Sequence, residues 1–402
     1  MVKDVRRGGA DGLVEKSGKK PSRIINSHQT TSYSDARQRL PEKIVLRAFS
    51  HSKRLMLELA GLSQHCQQPP PPQERSLQLF DGSTLSMRPN VALAKEYPAA
   101  SNQHGKGYWL LMRIVAGFCA RTGAVLSAAQ GSITCGEQQL AWALFAASDA
   151  FTIWIGDRNF GVFSIIERAL RSAQDVLVRL TDRRVRKLIG EARWRSGQEQ
   201  RIKWAPSRHD QLAPEADRSS VEGRLIYVRV ERPGFRPVDL WLFTTLLDAQ
   251  LYPVELLVRW YGLRWQAELN FRYAKTNLKM HTLEVTSPEM ARKEFYAGLL
   301  AYNLVRAAMY AAAGRREAGR ASVSFSQARR VVFSYWRELG RNLFVGQTNL
   351  QSFLQQVAGG RLPKRRKERP PEPRRIRRKI QGFPLLVGDR ALARAKMNQN
   401  KS

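Results

Sequence analysis

Cysteine is scarce in this chain, and histidine is little commoner. The 402 residues contain six histidines and three cysteines, Cys66, Cys119 and Cys135. The cysteines show no CxxC spacing and no even number that could form a disulfide framework, and no zinc-binding pattern is present. We therefore expect reduced thiols in a cytoplasmic protein, without zinc chemistry.

Long apolar segments are also missing. The N-terminus lacks the apolar stretch of a signal peptide, so we expect no secretory signal. The most apolar run, residues 295–313, contains Asn303 and Arg306, which disfavours a membrane span and favours a buried helix. We expect no membrane partner.

Basic residues outnumber acidic residues by about two to one. Lysine and arginine total 67 against 34 aspartates and glutamates, which gives a formal net charge of +33. Residues 361–402 contribute +12 and the other 360 residues contribute +21, so the body of the protein is basic as well as its tail. This excess predicts a polyanionic partner, and nucleic acid is the natural one. Because hydrophobic residues make up 43% of the chain, we expect a globular protein with a sizeable core.

One stretch, residues 253–279, gathers unlike charges on one face of a predicted helix. At about 100° per residue, one carboxylate, four cations and a phenol share that face: Tyr261, Arg264, Glu268, Arg272, Lys275 and Lys279. A single acid among cations is suited to holding a divalent metal beside a polyanion. The alternative is an ordinary solvated face, on which Glu268 pairs with Arg264 and Arg272 at i, i+4.

The spacing Tyr-x2-Arg-x3-Glu-x6-Lys is complete in Tyr261, Arg264, Glu268 and Lys275. It resembles the YREK signature of the DDE transposases of bacterial insertion sequences, of the insertion-sequence-four type. The resemblance covers roughly residues 76–313. It implies an α/β fold in which a ribonuclease-H-like, mixed-sheet catalytic core carries a β-rich insertion before the last catalytic helix, followed by a helical C-terminal part.

The apolar pattern upstream predicts a core of that class. Residues 76–87 alternate apolar and polar side chains, as a half-buried strand does. Strands are predicted at 76–87, 107–121, 124–130, 151–155 and 176–180, and helices at 137–147 and 163–173. Their order along the chain is three strands, a helix, a strand, a helix and a strand. Further strands are predicted at 225–230 and 240–245, and further helices at 41–62, 288–313 and 325–339.

Changes in composition divide the chain into segments. We expect a disordered basic N-terminus, a remnant of a helical N-terminal DNA-binding region, a Pro-rich linker, two halves of a catalytic core around a β-rich insertion, a helical C-terminal region and a basic tail. The disordered N-terminus spans 1–30, the DNA-binding remnant 31–66 and the linker 67–75. The two halves of the core span 76–182 and 247–313, with the insertion at 183–246 between them. The C-terminal region spans 314–359 and the tail 360–402. Because full-length family members usually carry a longer N-terminal domain, the resemblance implies altered recognition of transposon ends.

Two upstream aspartates complete the set of acids that the resemblance requires. Asp81 lies within the first predicted strand, and Asp157 follows the fourth, where open α/β sheets place reactive groups. With Glu268, they are the implied catalytic and metal-binding residues. Such carboxylates could hold two Mg²⁺ (or Mn²⁺) ions, one activating the attacking oxygen and one stabilising the leaving oxygen. On local sequence alone, Asp81 could instead be a turn residue and Asp157 a helix N-cap.

The resemblance also implies contacts with DNA. Tyr261, Arg264 and Lys275 match the family's phosphate-contacting positions, and Trp241 matches, with a one-residue gap, the aromatic on which a flipped base stacks. Arg272 and Lys279 are expected to be general phosphate contacts. As alternatives, Tyr261 would pack beneath its helix and Trp241 would be buried in its strand.

The implied function is a metal-dependent DNA transposase. It would hydrolyse DNA beside each transposon end and transfer the freed 3′ hydroxyl into target DNA, commonly through a hairpin in this subgroup. The implied partners are double-stranded DNA, as end repeats and as target, and a second copy in a homodimer on DNA, with a cytoplasmic, nucleoid-associated location.

Two other interpretations stand beside the transposase. The chain could be a catalytically silent DNA-binding protein derived from a transposase. It could also be a ribonuclease-H-type nuclease, although such a nuclease has no need for the end-binding residues of the signature.

Overall fold

The computed structural model describes residues 31–62, 68–102, 105–191, 193–208, 218–231, 237–314, 323–341 and 347–360, with a few isolated positions besides. The predicted disordered N-terminus, 1–30, lies outside the described residues, as does nearly all of the predicted tail. The larger of two compact units, Met1–Val230 with Asp239–Lys364, holds the helices and strands given below, apart from Val238.

Helices and strands alternate through most of the described part of the chain. The helices are α1 (Thr31–Arg39), α2 (Glu42–Ala60), α3 (Val91–Glu96), α4 (Glu137–Ala146), α5 (Phe163–Arg171), α6 (Asp182–Ile189), α7 (Val254–Gly262), α8 (Trp265–Arg272), α9 (Pro288–Ala313), α10 (Phe325–Arg341) and α11 (Gln347–Gly359). The strands are β1 (Leu77–Met87), β2 (Ala99–Asn102), β3 (Gly105–Cys119), β4 (Val125–Ser132), β5 (Ile153–Gly156), β6 (Asp175–Leu180), β7 (Glu199–Trp204), β8 (Val221–Val230), β9 (Val238–Thr244) and β10 (Thr282–Leu283).

These strands form one mixed sheet. Its order is β2-β3-β1-β5-β6-β9-β8-β7, with β4 paired to β3 and β10 to β1. Strands β1, β5 and β6 run parallel to one another, whereas β3 is antiparallel to β1 and β4, and β9 is antiparallel to β6. The predicted mixed α/β class is therefore confirmed.

Side-chain alternation along β1 separates two hydrophobic cores. Leu79 and Leu85 point into a core that the sheet shares with α2 and with α7 to α11. Phe80 points the opposite way, into a core shared with α4 and α5, where its ring lies 4.4 Å from that of Phe160 and 5.5 Å from that of Trp154. Each fully buried ring contributes about 2–3 kcal/mol through burial, so the centre of the sheet is held from both sides.

The segment predicted as one helix over 253–279 is broken, and that prediction is wrong. Between α7 and α8 the backbone N–H groups of Leu263, Arg264, Gln266 and Ala267 each bond to the carbonyl three residues back, which tightens the turn. After α8 the chain widens into a π-helical turn, Tyr273–Asn277. Lys279 then has a left-handed φ of 59° and lies beyond the helix.

The predicted insertion, 183–246, extends the main sheet rather than forming a sheet of its own. Strand β9 pairs with β6 from Leu177↔Thr244 to Leu180↔Trp241, and β8 and β7 follow it towards the edge. The segment also holds α6, which the sequence pattern did not indicate. The predicted domain boundaries themselves stay predictions.

Helix α9 is a buried core helix. Ser287 caps its first turn by accepting a hydrogen bond from the Met290 N–H, and Pro288 occupies the first helical position. None of the helices in the described part combines the length and the apolarity needed to cross a bilayer.

The contacts of Asn303 explain why this polar residue lies within the apolar run of α9. Its side chain is 1% exposed, and its Oδ1 accepts from the Val125 N–H (2.8 Å) while its Nδ2 donates to the Val125 carbonyl (2.8 Å). The same Nδ2 donates to Ser52 Oγ on α2 (3.1 Å). One side chain thus satisfies the backbone of β4 and joins it to two helices.

We predict that Asn303→Leu lowers the free energy of unfolding by about 2–4 kcal/mol, because it leaves both polar groups of Val125 buried without partners. Chemical denaturation would measure this loss. The control is Leu304→Asn one residue along, at a side chain that is 36% exposed, which should cost less than about 1 kcal/mol. An equal loss in the two variants would contradict the assignment.

Candidate active site

The neighbouring strands β1, β5 and β6 direct three charged side chains to one row on the same face of the sheet. Leu79 pairs with Ile155, and Gly156 pairs with Val178. Continued by one or two residues, this register sets Asp81 beside Asp157 and Asp157 beside Arg179, on one face and at the strand spacing of about 4.8 Å.

Neither aspartate has the ordinary local role that its sequence alone allowed. Asp81 lies in mid-strand, paired with Ala116 of β3, and not in a turn. Asp157 is not a helix N-cap, because α5 begins six residues later at Phe163. Its Oδ1 instead accepts from the Asn159 N–H (2.8 Å), which tightens the loop that leaves β5.

Helices α7 and α8 cover this row. Ala267 and Phe271 of α8 are buried against the sheet, with the Phe271 ring 4.9 Å from that of Phe118. This packing turns Glu268, in the first turn of α8, towards the two aspartates. Arg264 donates to Glu268 Oε1 (3.0 Å), so the i, i+4 pair that the sequence allowed is also present.

Electrostatic interactions show that the three acids are neighbours. Burial, followed by the charges of Asp157 and Glu268, raises the pKa of Asp81 to about 6, although the Gly82 N–H (2.8 Å) and Arg264 oppose that rise. The charges of Asp157 and Glu268, the other two carboxylates that the sequence singled out, therefore both act on Asp81.

The donor chemistry of this site fits a hard divalent cation. Carboxylate oxygens are the ligands that Mg²⁺ and Mn²⁺ prefer, and the repulsion felt by Asp81 is what such a cation would relieve. Among the described residues, however, no three Asp, Glu, His or Cys side chains are close enough together to hold a metal ion. Each acid has a partner within the protein instead: Gly82 for Asp81, Asn159 for Asp157 and Arg264 for Glu268. The carboxylates would have to draw closer around an ion.

The charges of two arginines act on Tyr261. It is 8% exposed and packs in the core at the end of α7, so the packing alternative also holds. Burial raises the pKa of its phenol, while the nearby Arg264 and Arg179 lower it and Asp157 raises it. Sequence reasoning missed Arg179, because its place beside Asp157 depends on strand order.

Lys275 approaches the row from the π-helical turn. Its Nζ donates to Ser83 Oγ (3.1 Å), and Ser83 lies two residues beyond Asp81, on the same face of β1. Burial lowers the pKa of this ammonium group. Lys275 is thus held against β1, two residues beyond Asp81.

Three further residues, Arg272, Lys279 and Trp241, are predicted to contact DNA. Arg272 is exposed at the end of α8, and Lys279 follows the π-helical turn. Trp241 pairs with Leu180, whose side chain belongs to the opposite face of the sheet, and its ring lies 4.7 Å from that of Tyr227 and 5.3 Å from that of Trp194. Its predicted role in base stacking stays a prediction.

Known proteins were compared with the chain at the levels of sequence and of structure. The sequence model of the family described as "Transposase DDE domain" matches residues 72–304. No curated protein matches the chain. The chain is similar to the solved structure named "Cryo-EM structure of piggyBac transposase synaptic complex with hairpin DNA (SNHP)", at 9% sequence identity and a TM-score of 0.39. That alignment covers 70% of this chain and 57% of the other.

We predict that Asp81→Asn stabilises the metal-free protein above about pH 6 and has little effect below about pH 4. A raised pKa means that the folded state binds the proton more tightly than the unfolded chain does. The stability that the carboxyl contributes is therefore present at low pH and is lost as the pH rises through about 6. Removing the charge should gain about 1–3 kcal/mol at pH 8.

Urea denaturation in EDTA between pH 4 and 8 would measure this gain. The control is Glu58→Gln, at an exposed position on α2, which should not reproduce it. Destabilisation of Asp81→Asn at pH 8, or a gain that is the same at pH 4, would contradict the raised pKa of Asp81.

Proposed function

The chain belongs to the transposase DDE domain family, and on that premise we propose that it is a metal-dependent DNA transposase of the insertion-sequence-four type. The observation that carries the proposal is that the charges of Asp157 and Glu268 act on Asp81, in a central strand of the sheet, and help to raise its pKa. The proposed signature consists of Tyr261, Arg264, Glu268 and Lys275.

We interpret the core as ribonuclease-H-like. Five strands in the order β4-β3-β1-β5-β6 support this interpretation: β3 is antiparallel to both β4 and β1, and β1, β5 and β6 are parallel. Helices cover both faces of these strands.

The proposed reaction has two steps. In hydrolysis, a water oxygen attacks the phosphorus beside a transposon end, the bond from phosphorus to the 3′ oxygen breaks, and a 3′ hydroxyl and a 5′ phosphate are left. In strand transfer, that 3′ oxygen loses its proton and attacks a second phosphodiester, so that one ester bond forms as another breaks. Mg²⁺ or Mn²⁺ held by Asp81, Asp157 and Glu268 would supply Lewis-acid activation of the attacking oxygen and stabilisation of the leaving oxygen.

The chain's own cations would bind and orient the DNA. Arg264 is within hydrogen-bond distance of Glu268 and can neutralise a phosphate on its other side. Tyr261 can donate its hydroxyl hydrogen to a phosphate oxygen. Lys275, steadied by Ser83, and Arg179 add positive charge on two sides of the acids.

The assignment as an enzyme is favoured over a silent DNA-binding relative because all three carboxylates are present and the charges of Asp157 and Glu268 act on Asp81. The proposal extends to double-stranded DNA as partner, both end repeats and target, and to a homodimer on DNA in the nucleoid. The predicted domain division, with 31–66 as a remnant of a DNA-binding region, is part of the same proposal.

We predict that Asp157→Ala lowers metal-dependent nicking by at least about 100-fold, because it removes a metal ligand and leaves the basic surface intact. The substrate is a supercoiled plasmid carrying the gene with its flanking DNA, incubated with Mg²⁺ or Mn²⁺. The control is Asp182→Ala, at an exposed aspartate in the first turn of α6, which should nick as the wild type does. Nicking by Asp157→Ala at the wild-type rate, or a wild type that never nicks, would refute the proposed chemistry.

Helix α6 carries a basic face next to the loop of Asp157. Thr181 caps the helix, and Val185 is buried. Arg184 donates to the Gly161 carbonyl and lies over the Trp204 ring, with Cζ 5.8 Å from the ring centre. These contacts leave Arg183, Arg186 and Lys187 exposed on the outer face.

We predict that replacing Arg183, Arg186 and Lys187 together by alanine weakens DNA binding and reduces its salt dependence. The slope of log K against log salt should fall in magnitude by about 2–3, since each lost phosphate contact removes about 0.9. Fluorescence anisotropy with a duplex of about 30 base pairs and no divalent metal would measure it. The control removes three exposed cations from other helices, Lys95, Arg259 and Arg330. An equal change in the two variants would mean that α6 is an ordinary solvated face.

A further inference from the structure

A chain of polar contacts ties the loop of Asp157 to helix α4. The Asn159 N–H donates to Asp157 Oδ1 (2.8 Å), and the Asn159 Nδ2 donates to Glu137 Oε2 (2.7 Å). The Asn159 carbonyl accepts from Gln138 Nε2 (2.7 Å). Both the side chain and the backbone of Asn159 are therefore fixed by the first turn of α4.

The same Glu137 carboxylate rests against strand β1 directly behind Asp81. A Cβ atom built on Gly82 would lie 2.4 Å from Glu137 Cδ and 2.6 and 2.8 Å from its two oxygens. Gly82 follows Asp81 in the strand and therefore faces the opposite side of the sheet. Only a residue without a side chain leaves room there for the carboxylate.

We propose that Glu137 and Asn159 are positioning residues that, with Gly82, set the separation between Asp81 and Asp157. Asp81 is fixed by its strand, whereas Asp157 lies beyond the last paired residue of β5, Gly156. Its position therefore depends on what holds its loop, and the contact from Asn159 to Glu137 holds that loop to the back of β1. This inference rests on the proposed function, because the separation matters only if the two aspartates bind one metal site.

The contact is chemically suited to this role. An amide N–H bonded to a carboxylate is charge-assisted and stronger than a neutral hydrogen bond. Residues that orient metal ligands from behind typically change metal affinity by about 10- to 100-fold when they are lost. Since Glu137 and Asn159 reach the site through other atoms, they are not themselves catalytic.

The test reverses the direction of the hydrogen bond. Asn159→Asp sets two carboxylates against each other and should weaken Mn²⁺ binding by about 10-fold or more. Glu137→Gln keeps an acceptor for Asn159 and should stay near the wild type. The double variant E137Q/N159D offers the glutamine amide as donor to the new carboxylate and should regain most of the lost affinity.

A second pair of variants guards against a folding defect. Glu137→Ala removes the carboxylate, and Gly82→Ala should displace it, so each should weaken Mn²⁺ binding. The double variant G82A/E137A should bind Mn²⁺ no worse than Glu137→Ala does, because no carboxylate remains to be displaced. Additive losses would overturn the proposed contact.

Three readouts separate positioning from general damage. Electron paramagnetic resonance counts free Mn²⁺ in the absence of DNA, anisotropy in EDTA measures affinity for a duplex of about 30 base pairs, and nicking is followed against Mn²⁺ concentration. We expect Asn159→Asp to raise the Mn²⁺ requirement while DNA affinity and the thermal unfolding midpoint stay unchanged, and E137Q/N159D to reverse the effect.

The outcomes distinguish this proposal from the proposed function. Unchanged Mn²⁺ binding in Asn159→Asp, or no recovery in E137Q/N159D, overturns the positioning role while a wild type that nicks DNA keeps the proposed function. A wild type that neither binds Mn²⁺ nor nicks overturns both.

Discussion

Burial of the Asp81 carboxyl beside the charges of Asp157 and Glu268 is the constraint on which the rest of this structure depends. Asp81, Asp157 and Glu268 come from a strand, a loop and a helix, and the last two charges help to raise the pKa of the first. Such crowding opposes folding at neutral pH, so it persists only because packing elsewhere overcomes it. Arg264 offsets part of it by donating to Glu268. The unfavourable energy makes the site receptive to a cation and to the phosphates that a cation can bridge.

The scaffold supplies that packing on both faces of the sheet. On the face of the sheet that carries the acids, Phe271 and Ala267 pack α8 against the core, and α9 packs into the same core. On the other face, the rings around Phe80 fix β1 against β5. Asp81 and Glu268 therefore lie on packed elements, whereas Asp157 lies in a loop that Asn159 holds. Precision at metal sites requires such support.

Sequence patterns were sufficient for elements whose periodicity is strong. The alternation over 76–87 predicted β1, and the apolar run with its proline start predicted α9 at Pro288–Ala313. The break at Leu263 and the π-helical turn could not be predicted, because helical propensity does not distinguish hydrogen bonds to the third, fourth or fifth preceding residue. Glu268 was singled out by the spacing of the motif, and Asp81 and Asp157 by their places in and after the predicted strands. Arg179 was not, since its place beside Asp157 depends on the order of strands in the sheet.

The central claim is that three distant acids share one metal site, and diffraction from crystals soaked in Mn²⁺ tests it most directly. The account predicts anomalous density between the carboxylates of Asp81, Asp157 and Glu268, and its loss in crystals of Asp157→Ala. Manganese bound elsewhere on the protein, or density that persists in that variant, would contradict it.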